Sequence, residues 1–122
     1  MGERDLLQRT KDYALRIIGL YVALPKTTEA QVLGKQVLRS GTSIGAHYRE
    51  GNRAKSDADF IHKLETALQE LDETSYWLDL IIEAKIFNEK RVKPLIDETH
   101  ELNAIFTTIV KKVKDKRNTP KS

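Results

Sequence analysis

An all-α fold, an antiparallel up-down-up-down four-helix bundle, follows from three features of this 122-residue chain. Apolar residues recur at helical spacing in four separate segments. The breaks between those segments are short, so consecutive helices must run antiparallel. The chain has only 6 Gly and 3 Pro, too few for a protein built of turns and short strands. The length fits one domain. The pattern places the bundle at residues 1–114 and a basic, disordered tail at residues 115–122.

The first helix is predicted from about Arg4 to Leu24. Leu6, Tyr13, Ala14, Ile17, Ile18, Tyr21 and Leu24 share one side at 100° per residue. Pro25 stops it, because the residue before a proline is pushed out of the α region. The second helix starts near Thr28, which with Gln31 has capping-box spacing, and runs to Asn52, where Gly51-Asn52 offers a stop. Its apolar arc of Leu33, Val37, Leu38, Ile44 and Tyr48 also holds Gly34, Gly41 and Gly45. Each glycine costs a helix about 1 kcal/mol against alanine. Three on one face suit a close helix–helix approach; a break near Gly41 is the competing reading.

The third helix follows Ser56, with Asp57 and Asp59 complementing the helix dipole in its first turn. Its predicted stripe is Phe60, Leu64, Ala67, Leu68, Leu71, Ser75, Leu78 and Ile82. The fourth follows Asn88, with Pro94 allowing a start nearer Lys93. Val92, Leu95, Ile96, Thr99, Leu102, Phe106, Ile109, Val110 and Val113 form its stripe.

Composition narrows the function classes. There are no cysteines, which excludes disulfides, thiolate catalysis and Cys-based metal centres. No apolar run reaches the roughly 18 residues of a membrane span. The segment Met1-Gly2-Glu3-Arg4-Asp5 lacks the basic-then-apolar order of a secretory leader, so a cytoplasmic location is expected.

The net charge of +3 hides a segregation. Residues 34–55 carry five bases and one acid, residues 56–84 carry eight acids and one base, and residues 111–122 carry six bases and one acid. Basic patches suit an anionic partner such as nucleic acid. They equally suit pairing with acidic faces of other subunits. Lys35, Arg39, Arg49 and Arg53 fall in one strip of the second helix about 80° wide, with Thr42 and Ala46 and no acid between them. Such a row can track phosphates; a solvated helix face is the alternative.

Trp77 and Leu80 lie off the predicted stripe of the third helix, which marks an oligomer interface, or a core edge if the bundle is slightly rotated. Asp59-x-x-His62 and Asp97-x-x-His100 have the spacing of di-metal bundles, but both histidines fall off the core arcs and the first two helices offer no inward Glu. No cofactor or metal is expected. His47, beside Ser40, Ser43 and Glu50, reads as a hydrogen-bonding residue. No catalytic triad, phosphate loop or paired-acid site stands out, and the chain reads as a non-enzyme. An RNA-cleaving helical class needs Arg followed by His within about one and a half turns, closer than Arg39 to His47 or Arg53 to His62.

The run Gln36-Val37-Leu38-Arg39-Ser40-Gly41-Thr42-Ser43-Ile44-Gly45-Ala46-His47-Tyr48-Arg49-Glu50-Gly51 resembles the signature of the bacterial four helix bundle family, also called 23S rRNA intervening-sequence proteins. Gln36, Arg39, Ser40, Ser43, Ile44, Glu50 and Gly51 match it, and His47 stands where the family has Asn. Ser56, Phe60, Lys63, Leu64, Ala67, Glu70 and Trp77-Leu78 fit the family's third helix. The resemblance covers about residues 5–112. It implies a bundle that assembles as a homopentamer. Some members are encoded within insertions in large-subunit rRNA genes. Similar proteins are accessory variability determinants of diversity-generating retroelements, basic pentamers that bind nucleic acid and a reverse transcriptase. The resemblance fixes the fold better than the function. It supports RNA or DNA binding, self-association and a reverse transcriptase as partners, with a scaffold docking an acidic protein as the other reading. Arg39 belongs to the signature itself, so a structural ion pair is open for it beside phosphate contact.

Overall fold

The computed structural model describes residues 3–118, with side chains from residue 5. The described residues form four helices: α1 (Glu3–Ala23), α2 (Thr28–Asn52), α3 (Asp57–Glu83) and α4 (Glu89–Asn118). No strand occurs among the described residues. Each helix packs on the next in sequence, and α1 meets α4 over a short stretch. The pairings fix the directions. Arg39 meets Glu73 while Lys63 meets Glu50, so α2 and α3 are antiparallel. Lys114 meets Glu65 while Ser75 meets His100, so α3 and α4 are antiparallel.

The ends follow local chemistry. Thr27, one residue before the expected cap, accepts the Ala30 N–H at 3.4 Å. Gln31 instead ties the α1–α2 link, donating to the Pro25 carbonyl at 2.9 Å and accepting from Tyr21. Ser56 caps α3 through the Asp59 N–H, as the sequence indicates. After α3, Lys85 takes a φ of 57°. The Ile86 N–H reaches the Ile81 carbonyl and the Lys85 N–H reaches the Ile82 carbonyl, which is a Schellman closure with lysine where glycine is usual. Asn88 accepts the Lys90 N–H, and α4 starts at Glu89, with Pro94 inside the helix rather than at its boundary.

α2 is unbroken at Gly41. Its glycines serve close approach. A Cβ on Gly41 would lie 2.8 Å from Ile17 Cγ1, and one on Gly45 would lie 3.1 Å from Thr10 Oγ1. Gly51 lies inside α2, where a Cβ would meet Leu64 of α3 at 2.9 Å. The helix ends at Asn52, as the sequence indicates, with Arg53 as its C-cap.

The core differs from the predicted stripes most in α1 and α3; in α2 and α4, Leu33, Leu38, Ile109 and Val113 are half-buried. In α1, Leu20 is buried and Ile18 is 41% exposed. In α3, Ile61, Thr74 and Ile81 are buried, while Phe60, Ser75 and Ile82 are half-buried. Leu64, Ala67, Leu71 and Leu78 are buried as predicted, and the stripe widens toward α2 to take in Thr74, whose Oγ1 donates to Ser40 Oγ at 2.7 Å, both fully buried. At the far end α4 continues to Asn118, past Val113, the last apolar residue. Lys116 and Arg117 complement its C-terminal dipole. Residues 119–122 of the expected tail lie outside the described residues.

Candidate nucleic-acid interface

α2 buries Val37, Gly41, Ile44 and Tyr48, which turns the opposite side of the helix to solvent. Lys35, Arg49 and Arg53 stand exposed on that side, and no ion pair engages them among the described residues. Arg39 is different. Its guanidinium reaches Glu73 Oε1 at 2.6 Å and Glu70 Oε2 at 3.3 Å, both on α3, and Gln36 Oε1 at 3.4 Å. The four cations therefore differ in their partners. Arg39 clamps α2 to α3, the structural reading the signature left open, and three cations remain available.

A groove of about 550 Å³ runs between α1 and α2 beside those cations. Gly45 and Ala46 on α2 and Ala14 on α1 line it, with Lys11, Arg49 and Arg53 at its edges. It exists because small residues occupy the facing positions. Lys11 is a cation the sequence reading did not attach to the basic strip, because it lies on a different helix.

The predicted oligomer pair is also sorted by the structure. Trp77 and Leu80 are half-buried, and Trp77 packs against the core. The exposed aromatic is Tyr76, 58% accessible, its ring 5.1 Å from that of Trp77. The Trp77 Nε1–H is buried with no acceptor in the structure. The other exposed large apolar residues are Leu7, Leu15, Ile18 and Val22 on α1 and Val32 on α2. The sequence reading missed them as a surface because α1 is apolar on two sides.

α1 closes onto α4 at one place. Arg9 Nε and a terminal guanidinium nitrogen each contact a Glu98 carboxylate oxygen at 2.7 Å, and Glu101 lies 3.3 Å away. The hydrogen bond to Glu98 raises the Arg9 pKa further above its already high ordinary value. Tyr13 Oη and Thr99 Oγ1 share a buried hydrogen bond of 2.6 Å, and Thr99 also donates to the Leu95 carbonyl. Burial pushes the Tyr13 phenol up to about 12. These contacts tie α1 to α4.

The histidines are dispersed. His47 Nδ1 lies 3.4 Å from Glu50 Oε1 and His100 Nε2 lies 3.3 Å from Ser75 Oγ, while His62 is exposed. Among the described residues no three His, Asp or Glu are placed to hold a metal ion. No helix of the described residues is long and apolar enough to cross a membrane.

Fold and surface define a small four-helix bundle with one cationic, acid-free helix face. The chain belongs to the 23S rRNA-intervening sequence protein family, whose model matches residues 3–108. It is similar to a protein of unknown function from the S23 ribosomal protein family of Bacteroides thetaiotaomicron. That crystal structure superposes with a TM-score of 0.84 at 39% identity, covering 91% of this chain and 99% of the other. No curated protein matches the chain.

Proposed function

We propose that the protein is a non-enzymatic, cytoplasmic, homopentameric accessory protein that binds RNA or DNA through phosphate contacts. It would serve an rRNA-associated element or a reverse transcriptase. One observation carries the nucleic-acid reading: Lys35, Arg49 and Arg53 stand exposed and without ion pairs among the described residues, on a face of α2 free of acids. The family's name adds an association with 23S rRNA. Contact with phosphates alone gives no base readout, so affinity is expected to be similar across sequences. Repetition of the face around a ring adds avidity wherever one strand reaches several subunits.

The test is a salt titration. Log K for RNA or DNA should fall against log salt with a slope of roughly −0.7 to −0.9 per phosphate contacted. Arg49→Ala with Arg53→Ala should weaken binding to all sequences by similar factors and flatten that slope. If this variant folds and keeps both affinity and slope, the face does not bind nucleic acid. The apolar lining of the groove beside these cations, with Leu7 and Ala14, would then favour the scaffold reading, in which an acidic protein docks there.

A further inference from the structure

The six exposed large apolar residues among the described residues are not scattered. Five lie on α1 and α2, and the sixth, Tyr76, lies on α3. α1 and α3 share no packing contact, so these two surfaces sit at opposite corners of the bundle. Their surroundings differ in sign. On α1, Leu7, Leu15, Ile18 and Val22 fall within about 80° of helix surface, and the charge inside that strip is Lys11. On α3, Tyr76 shares its face with Asp72, Asp79 and Glu83, all exposed and without ion pairs among the described residues. Leu80 borders the same face, and the Trp77 ring lies tilted against that of Tyr76, 5.1 Å between centroids.

We infer that the α1 strip of one subunit receives the α3 face of the next, with Tyr76 set among Leu15, Ile18 and Val22 and the neighbour's acids around Lys11. The inference rests on the self-association part of the proposed function and says which surfaces carry it. Neither surface is self-complementary. A two-fold contact of α3 with itself opposes acids to acids, which is unfavourable. A two-fold contact of α1 with itself leaves Tyr76 and the acidic strip uncovered. The contact between unlike faces satisfies both, and repeated head to tail it closes a ring if the rotation allows. Tyrosine is also a residue type that anchors interfaces, because it buries a large rigid ring and keeps a polar tip.

Two variants of the full chain cap one face each. Leu15→Glu with Val22→Glu spoils the α1 strip and leaves α3 intact. Tyr76→Lys with Asp79→Lys spoils the α3 face and leaves α1 intact. All four positions are exposed, so far-UV circular dichroism should match the parent chain. If the glutamates cost helix, Leu15→Gln with Val22→Gln replaces them. By light scattering each variant alone should have the 14.0 kDa mass of one chain, and an equimolar mixture should have twice that mass and no more. Each removed anchor should raise the dissociation constant about thirtyfold or more.

A mixture that stays at the one-chain mass overturns the inference. So does an α3 variant that still assembles alone, which would mean that α1 pairs with itself. If both variants assemble like the parent, self-association stands and uses other surfaces. If the parent chain itself is a single 14.0 kDa species at micromolar concentration, the self-association reading fails with the inference.

Discussion

Gly41→Ala and Gly19→Ala should shift stability in opposite directions, although both put alanine into a helix. Alanine removes the conformational cost of glycine, a gain of about 1 kcal/mol at an unhindered helix position. At Gly19 nothing lies within 4 Å of the new Cβ, so the gain stands and the variant should be about 0.5–1 kcal/mol more stable. At Gly41 the new Cβ meets Ile17 Cγ1 at 2.8 Å, Cγ2 at 2.9 Å and Cδ1 at 3.1 Å. Ile17 is fully buried and β-branched. Both γ carbons are in the contact, so no rotation of χ1 clears it at low cost. Overpacking of this kind costs about 1–3 kcal/mol. Set against the propensity gain, Gly41→Ala should lose about 1 kcal/mol.

The assay is urea unfolding followed by circular dichroism, at one protein concentration for all variants because self-association would add to apparent stability. For a chain of this size the loss corresponds to a fall in Tm of about 3–6 °C. Ile17→Ala removes all three crowded carbons. On that background Gly41→Ala should turn from unfavourable to favourable, a coupling the double-mutant cycle reads directly. Equal stabilisation by Gly19→Ala and Gly41→Ala in the parent chain would refute the close packing of α1 on α2.

Two further substitutions separate structure from binding. Arg39→Ala should lower stability by about 0.5–1 kcal/mol, a modest figure because half the side chain is exposed, and should change nucleic-acid affinity less than Arg49→Ala with Arg53→Ala does; stability by urea unfolding and affinity by titration at one salt concentration check both. The Tyr13 phenol is pushed up to about 12 by burial, against about 10 unfolded, so the neutral form is favoured in the fold and its contribution is complete below pH 10. That contribution, about 2–3 kcal/mol, is lost as pH rises from about 10 to 12, and Tyr13→Phe should show a shallower alkaline loss in the same unfolding series.

Helix number, order and the limits of α2 were legible because each break carries a strong local signal: Pro25, Ser56 and Asn88. Which apolar residues face inward was less so. In α1, Leu6, Ile17 and Leu20 alternate around the helix with Leu7, Leu15, Ile18 and Val22, and periodicity alone does not choose between two apolar strips. The fate of Arg39 was out of reach for another reason. Its partners Glu70 and Glu73 lie 31 and 34 residues away, and the register between α2 and α3 is set by packing such as Thr74 on Ser40 and Leu64 on Gly51. The groove escaped likewise, since it is a space between two helices. Continuation of α4 to Asn118 left no apolar trace; Lys114 holds that end to Glu65 at 2.9 Å.

The exposed strip of α1 follows from how the bundle closes. On one side α1 is drawn tightly to α2, where Gly34, Gly41 and Gly45 admit Leu24, Ile17 and Thr10. On its other side it meets α4 over the short stretch that Arg9 and Tyr13 mark with Glu98 and Thr99. Beyond Tyr13, α1 runs on for ten residues to Ala23, and there Leu15 and Val22 are more than half exposed and Ile18 nearly so. A helix with apolar residues on two sides needs covering on two sides to bury them. Within one chain α2 covers the first. The second lies past the α2 seam, where Leu7 and Lys11 line the groove and no acid stands, on the side of α1 turned away from Arg9 and Tyr13 and so from α4. A neighbouring chain that brings an aromatic ring among carboxylates covers the strip that packing within one chain leaves open.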